Sequence, residues 1–240
     1  IGTVTLTNVT LDGNSAGVDL NAGGTPPDPV ANPGNGGGLH ISGAGMVTLL
    51  GGSVINNQAA AEGGGLWNSS TGTLTINANG GDLLIDSNTA AGNVDPSGDI
   101  NDVQGGGGIF NAGGTLILTG TNNDDAILIT NNDATGADFG SGGGILSIGG
   151  TVDGDGAGAS ITNILIDGNT AVRAGGGVEL VGGTFVLENS IIGDPTPGTT
   201  PTGNTVGTTG SGNGGGIHVS NDAAVTLDAV MINNNVAGNE

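Results

Sequence analysis

Gly105-Gly106-Gly107-Gly108-Ile109-Phe110-Asn111-Ala112-Gly113-Gly114-Thr115-Leu116-Ile117-Leu118 carries the pattern that decides the fold. A glycine triplet, a short aliphatic run, a glycine turn and a second alternating run follow one another. The triplet with its aliphatic successor occurs six times, at 36–38, 63–65, 106–108, 142–144, 175–177 and 214–216, with steps of 27, 43, 36, 33 and 39 residues. Self-similarity at a few tens of residues marks a solenoid, and the uneven steps mark loops inserted at its corners.

Aligning the triplets yields three strand positions per coil. The first follows the glycines, from Leu39-His40-Ile41 through Leu66-Trp67-Asn68 to Ile217-His218-Val219. The second includes Val4-Thr5-Leu6, Val47-Thr48-Leu49, Leu74-Thr75-Ile76 and, in the fifth coil, Ile161-Thr162-Asn163. The third ends at Leu11, Ile55, Ile85, Ile129, Ile166, Ile192 and Ile232. Strands this short, parted by Gly and Asn turns and never by a helical period, predict an all-β, single-stranded parallel β-helix of about seven coils. Right-handed crossover is expected, and residues 1–240 read as one domain. Stacking at about 4.8 Å per coil makes the rod roughly 34 Å tall.

With 54 glycines and 8 prolines in 240 residues, an aperiodic chain would read as low complexity; periodicity reverses that. One Trp and three Phe leave a narrow core of branched aliphatics. The net charge of −21 arises because 22 acids face a single Arg173 and no lysine. Such a surface repels nucleic acid and anionic membranes and attracts divalent cations. No run is long enough to insert in a membrane as a helix, and without cysteine there is no thiolate chemistry.

Asn14, Gln58, Asn88, Asn132, Asn169, Asn204 and Asn235 recur after the third strand and are expected to stack as an internal amide ladder. Acidic residues gather in the loops. Asp95, Asp99 and Asp102 with Asp133 and Asp138 form a candidate calcium site, and Asp153 with Asp155 a second one. The outward third-strand positions, Thr10, Val54, Leu84, Leu128, Leu165, Ile191 and Met231, predict an apolar ribbon along the rod. A second outward column, containing Trp67 and Phe110, is partly aromatic. The ribbon and the open coil ends predict self-association into a homo-oligomer or a head-to-tail filament.

Gly105 to Leu118 and Ile164-Leu165-Ile166-Asp167-Gly168-Asn169-Thr170-Ala171 resemble the right-handed parallel β-helix repeats of large bacterial surface proteins. These include the chlamydial polymorphic membrane proteins and adhesins with cell-wall or secretion anchors. The resemblance spans essentially the whole chain. It implies an extracellular or cell-surface structural or adhesive role, with glycans as further partners, and no catalytic residues.

Two other functions are weighed against it. A polysaccharide lyase or hydrolase of pectin-lyase-like fold needs a cation beside the abstracted proton, or paired carboxylates. Arg173 stands alone as a base here, and the complete Asn-Thr-Asp, Asp-Asp and Gly-His-Gly set of polygalacturonases is not present. An ice-binding face would need an unbroken Thr column, but Ile117 and Val186 interrupt Thr5, Thr48, Thr75, Thr162 and Thr226.

Overall fold

The computed structural model describes residues 2–17, 34–91, 104–120, 125–135, 140–154, 163–196, 203–207 and 212–238. Among these residues every strand pair is parallel, and no helix occurs. The chain is a parallel β-solenoid.

Each glycine triplet opens a coil for two physical reasons. Its first residue is left-handed, with φ between 58° and 69° in all six triplets. Its second lies against the next coil: a Cβ on Gly107 would sit 2.5 Å from the Gly143 carbonyl oxygen and 2.6 Å from the Asp133 nitrogen. Only glycine satisfies both demands.

The first-strand sheet then contains Leu39–Ile41, Leu66–Asn68, Ile109–Asn111, Ile145–Ile148, Val178–Val181 and Ile217–Ser220, in register. Second and third strands form one curled sheet. In the first two coils they are continuous, as Thr3–Asp12 and Met46–Ile55, bending at left-handed Asn8 and at Gly51-Gly52. The second strand continues through Thr73–Asn77, Thr115–Thr119, Thr151–Gly154, Thr184–Glu188 and Ala224–Asp228. The third continues through Leu83–Asp86, Ile127–Thr130, Ile164–Asp167, Ile191–Gly193 and Met231–Asn233. A further column of two-residue strands, from Ser15–Ala16 to Thr205–Val206, forms a fourth edge that the three-strand scheme lacks.

Alternation directs Leu66, Leu74, Ile76, Leu83, Ile85, Ile109, Leu116, Leu118, Ile127, Ile129 and Phe185 inward, and each is essentially inaccessible. Burial of each such side chain contributes about 1.5–3 kcal/mol before chain entropy is set against it.

Two register corrections emerge. In the second coil Leu11 pairs with Val54, and Ser53 and Val54 pair with Leu84 and Ile85. Val54 is therefore a core residue, 2% exposed, and Ser53 takes the outward place expected for it. In the fifth coil the second strand is Thr151–Gly154, with Val152 inward. Ile161 and Thr162 lie outside the described residues.

Candidate interaction surfaces

The ladder starts from a left-handed corner. Gly13, Asn56, Ser87, Asn131, Gly168 and Asn234 have φ between 53° and 66°, and each precedes a ladder asparagine. The ladder runs Asn14, Asn57, Asn88, Asn132, Asn169, Asn204 and Asn235. Each of the first six donates its backbone N–H and its Nδ2 to the Oδ1 of the next rung, at 2.8–3.1 Å. From the second coil onward, Nδ2 also donates to a third-strand carbonyl of the preceding coil; Asn132 bonds to Ile85 in this way. An interior amide thereby uses both donors and both acceptor sites and ties three coils together. Gln58 is not a member. It lies one residue further on, paired with Ser15 and Thr89, and Asn57 occupies the rung.

A second, shorter ladder sits under the first-strand sheet. Asn68 Nδ2 donates to Asn111 Oδ1 at 2.9 Å, and Asn111 Nδ2 donates to Ser147 Oγ at 3.1 Å. These are inward third positions after successive triplets, so aligning the triplets already placed them in one column.

On the outside, the third-strand column reads Thr10, Ser53, Leu84, Leu128, Leu165, Ile191 and Met231. Thr10 and Ser53 hydrogen-bond to each other, so the apolar ribbon spans five coils rather than six. Leu84 and Met231 are 36% and 39% exposed, Leu128 and Leu165 are half-buried, and Ile191 is buried.

The outward first-strand column reads His40, Trp67, Phe110, Leu146, Glu179 and His218. Coil spacing stacks its rings. His40 and Trp67 are 4.2 Å apart and 9° from parallel; Trp67 and Phe110 are 6.3 Å apart and 2° from parallel. Trp67 Nε1 and Asn35 Nδ2 both donate to Glu62 Oε2. Phe110 is buried and Trp67 half-buried.

Further along the column is a charged group that separate motifs did not connect. Arg173 Nη2 lies 2.6 Å from Oε1 of fully buried Glu179, and His218 Nδ1 lies 3.4 Å from the same oxygen. Arg173 Nε donates to Ser141 Oγ. The single arginine thus neutralises a carboxylate that the coil buries.

Of the proposed calcium ligands, Asp95, Asp99, Asp102, Asp138 and Asp155 lie outside the described residues. Asp133 sits in the corner column, where its Oδ1 accepts from Thr135 N–H and Thr170 Oγ1. Asp153 is an outward second-strand residue beside Ile117 and Val186, on a different sheet. Among the described residues no three His, Cys, Asp or Glu side chains come together as a metal-holding group. The threonine column holds Thr5, Thr48 and Thr75 at one end and Thr226 at the other, interrupted by Ile117, Asp153 and Val186; Asp153 stands where Thr162 was expected.

Two further carboxylates have altered acidity. Burial pushes Asp86 up, but hydrogen bonds from Thr130, Asn131 and Ser87 outweigh it and hold the carboxyl below its ordinary value. At Asp167, burial dominates and raises the carboxyl; the Gly168 N–H opposes it and the neighbouring charge of Asp194 adds to it.

Comparison with protein-family models, curated proteins and solved structures finds no match to this chain.

Proposed function

We propose that this chain is a structural or adhesive β-solenoid of the cell surface or extracellular space that associates with copies of itself. The observation that carries the proposal is the ribbon Leu84, Leu128, Leu165, Ile191 and Met231. Aliphatic side chains there share one outward column on five successive coils, where a solvated strand face is ordinarily polar. Lateral packing of two rods through this column would remove its exposed members from water. The repeat pattern resembling bacterial surface proteins supports the location. Calcium at the acidic loops, with Asp133 among its ligands, belongs to the same proposal, since rods of charge −21 repel each other at short range.

Sedimentation velocity across a concentration series tests the association. The wild-type chain is expected to form oligomers that Leu84→Glu and Leu165→Glu each weaken. A wild-type monomer at every concentration would refute the proposal. Calcium is expected to raise the melting temperature and promote association beyond sodium at matched ionic strength; equal effects of the two ions would remove calcium from the account.

A second reading, cleavage of polysaccharides, is favoured by one observation: burial, and then the charge of a second carboxylate, Asp194, hold the Asp167 carboxyl above its ordinary pKa. A general acid has that property. Release of reducing or unsaturated sugar by the wild type and not by Asp167→Asn would support it, and no release across a broad glycan panel would end it.

A further inference from the structure

We infer that Asn79 is a site of self-modification, independent of the association proposed above. The backbone nitrogen of Gly80 closes on its side-chain amide, and water opens the resulting ring to leave a carboxylate.

The chain writes Asn-Gly-Gly three times, at 35–37, 79–81 and 213–215. Glycine after asparagine puts no Cβ in the path of ring closure and leaves the backbone free to turn. Because the three tripeptides are identical, local sequence does not discriminate between them, and the fold does. The Asn35–Gly36 peptide is held by its nitrogen. Gly36 N–H donates to the Glu62 carbonyl at 3.0 Å, and Asn35 Nδ2 donates to Glu62 Oε2 at 3.2 Å. The Asn213–Gly214 peptide is held by its oxygen, which accepts from Gly175 N–H at 2.9 Å, while Asn213 N–H donates to the Arg173 carbonyl at 3.0 Å.

Asn79 and Gly80 lie instead at the corner between Thr73–Asn77 and Leu83–Asp86, and both are exposed. Among the described residues, neither the Gly80 N–H nor the Asn79 carbonyl or amide makes a hydrogen bond. Gly80 and Gly81 have φ of 74° and 147°, and a Cβ on either would meet nothing within 4 Å. An unbonded nucleophile, an unbonded amide and room to rearrange coincide here and not at the other two copies. The ladder asparagines are protected in another way: none is followed by glycine, and Oδ1 of each from Asn57 to Asn235 holds two donors.

Hydroxide removes the Gly80 N–H proton, the nitrogen attacks Asn79 Cγ, the Cγ–Nδ2 bond breaks and ammonia leaves. Water then opens the cyclic imide. Cleavage of the Cγ–N bond gives aspartate; cleavage at the backbone carbonyl gives isoaspartate, with the chain running through Cγ. Either product adds a negative charge to a corner that already carries Asp82. The isoaspartyl form also lengthens the main chain by a methylene. The rod is expected to absorb this, since the strands on either side keep their cross-coil pairing.

Peptide mapping by mass spectrometry tests the site, on the 240-residue chain held at mildly alkaline pH either folded or in denaturant. In denaturant the three copies are expected to convert at similar rates. In the folded chain Asn79 is expected to convert about tenfold faster than Asn35, whose hydrogen bonds must break first. A new acidic species should appear on isoelectric focusing, be missing from Asn79→Ser, and retain the native melting transition. An unconverted Asn79 in the folded chain while the denatured chain converts would overturn the inference. So would equal rates at Asn79 and Asn35 in the folded chain, or the same acidic species in folded Asn79→Ser. Were Asn79→Ser to unfold, the wild-type peptide map alone decides.

Discussion

Arg173 and Glu179 meet at 2.6 Å, and they are the chain's one strong cation and one of its most deeply buried carboxylates. Glu179 stands on the outward side of the first-strand sheet, and Arg173 reaches it from the corner before the triplet. Removing either partner has unequal consequences. Arg173→Ala strands a buried negative charge and is expected to destabilise the fold by about 2–3 kcal/mol, at the low end for a broken pair because the guanidinium is one-third exposed. Arg173→Ala with Glu179→Leu should recover most of that loss. Chemical denaturation of the single and double variants measures it; additive losses would show that the pair is not a unit.

The ladder register yields a comparison of adjacent residues. Asn57→Ala removes the acceptor for two bonds from Asn14 and the donors to Asn88 and Leu11, so a loss of about 3 kcal/mol or more is expected. Gln58→Ala, off the ladder, is expected to lose less than about 1 kcal/mol. In the same coil Val54→Asp should abolish folding, and Ser53→Val should be tolerated. Equilibrium unfolding of the four variants checks the order.

That slip shows what the sequence conveys and what it hides. Triplets and alternation reveal the coil, because glycine at a left-handed turn and aliphatics at period two leave few alternatives. The second coil is degenerate: Val54 and Ile55 are both aliphatic, and Asn56 and Asn57 are both asparagine. Only cross-coil pairing chooses between registers. In the fifth coil Val152 is the lone aliphatic among Thr151, Asp153 and Gly154, too weak a run to recognise. The Arg173–Glu179–His218 group was hidden for another reason: its members are up to 45 residues apart and converge only when the coils stack.

Opposite pH behaviour is expected at Asp86 and Asp167. Asp86 is held below its unfolded value, so its stabilisation is complete at neutral pH and is lost as pH falls through the unfolded and then the folded value. Asp167 is raised, so its ionised form opposes folding at neutral pH, and protonation relieves this as pH falls through its folded value. Asp86→Asn should lower the melting temperature at neutral pH, and Asp167→Asn should raise it. Both differences should shrink on acidification. A melting series against pH measures them, and equal signs would contradict the assignment.

The ring stack predicts coupling between coils. Trp67→Leu and His40→Ala should each destabilise, and their double-mutant cycle should show about 0.5–1.5 kcal/mol of interaction from the contact at 4.2 Å. Denaturant unfolding followed by circular dichroism gives the cycle; additive effects would mean that the rings stack without mutual stabilisation.

The central claim is that copies of this rod meet through the third-strand ribbon, and intermolecular photo-crosslinking tests it most directly. A crosslinker replaces Leu165 on the ribbon or, as a control, Thr75 on the outward second strand. The account predicts concentration-dependent crosslinks between copies from position 165, with Leu84, Leu128 and Met231 among the captured neighbours, and few from position 75. Equal yields from both positions, or none from 165, would contradict it.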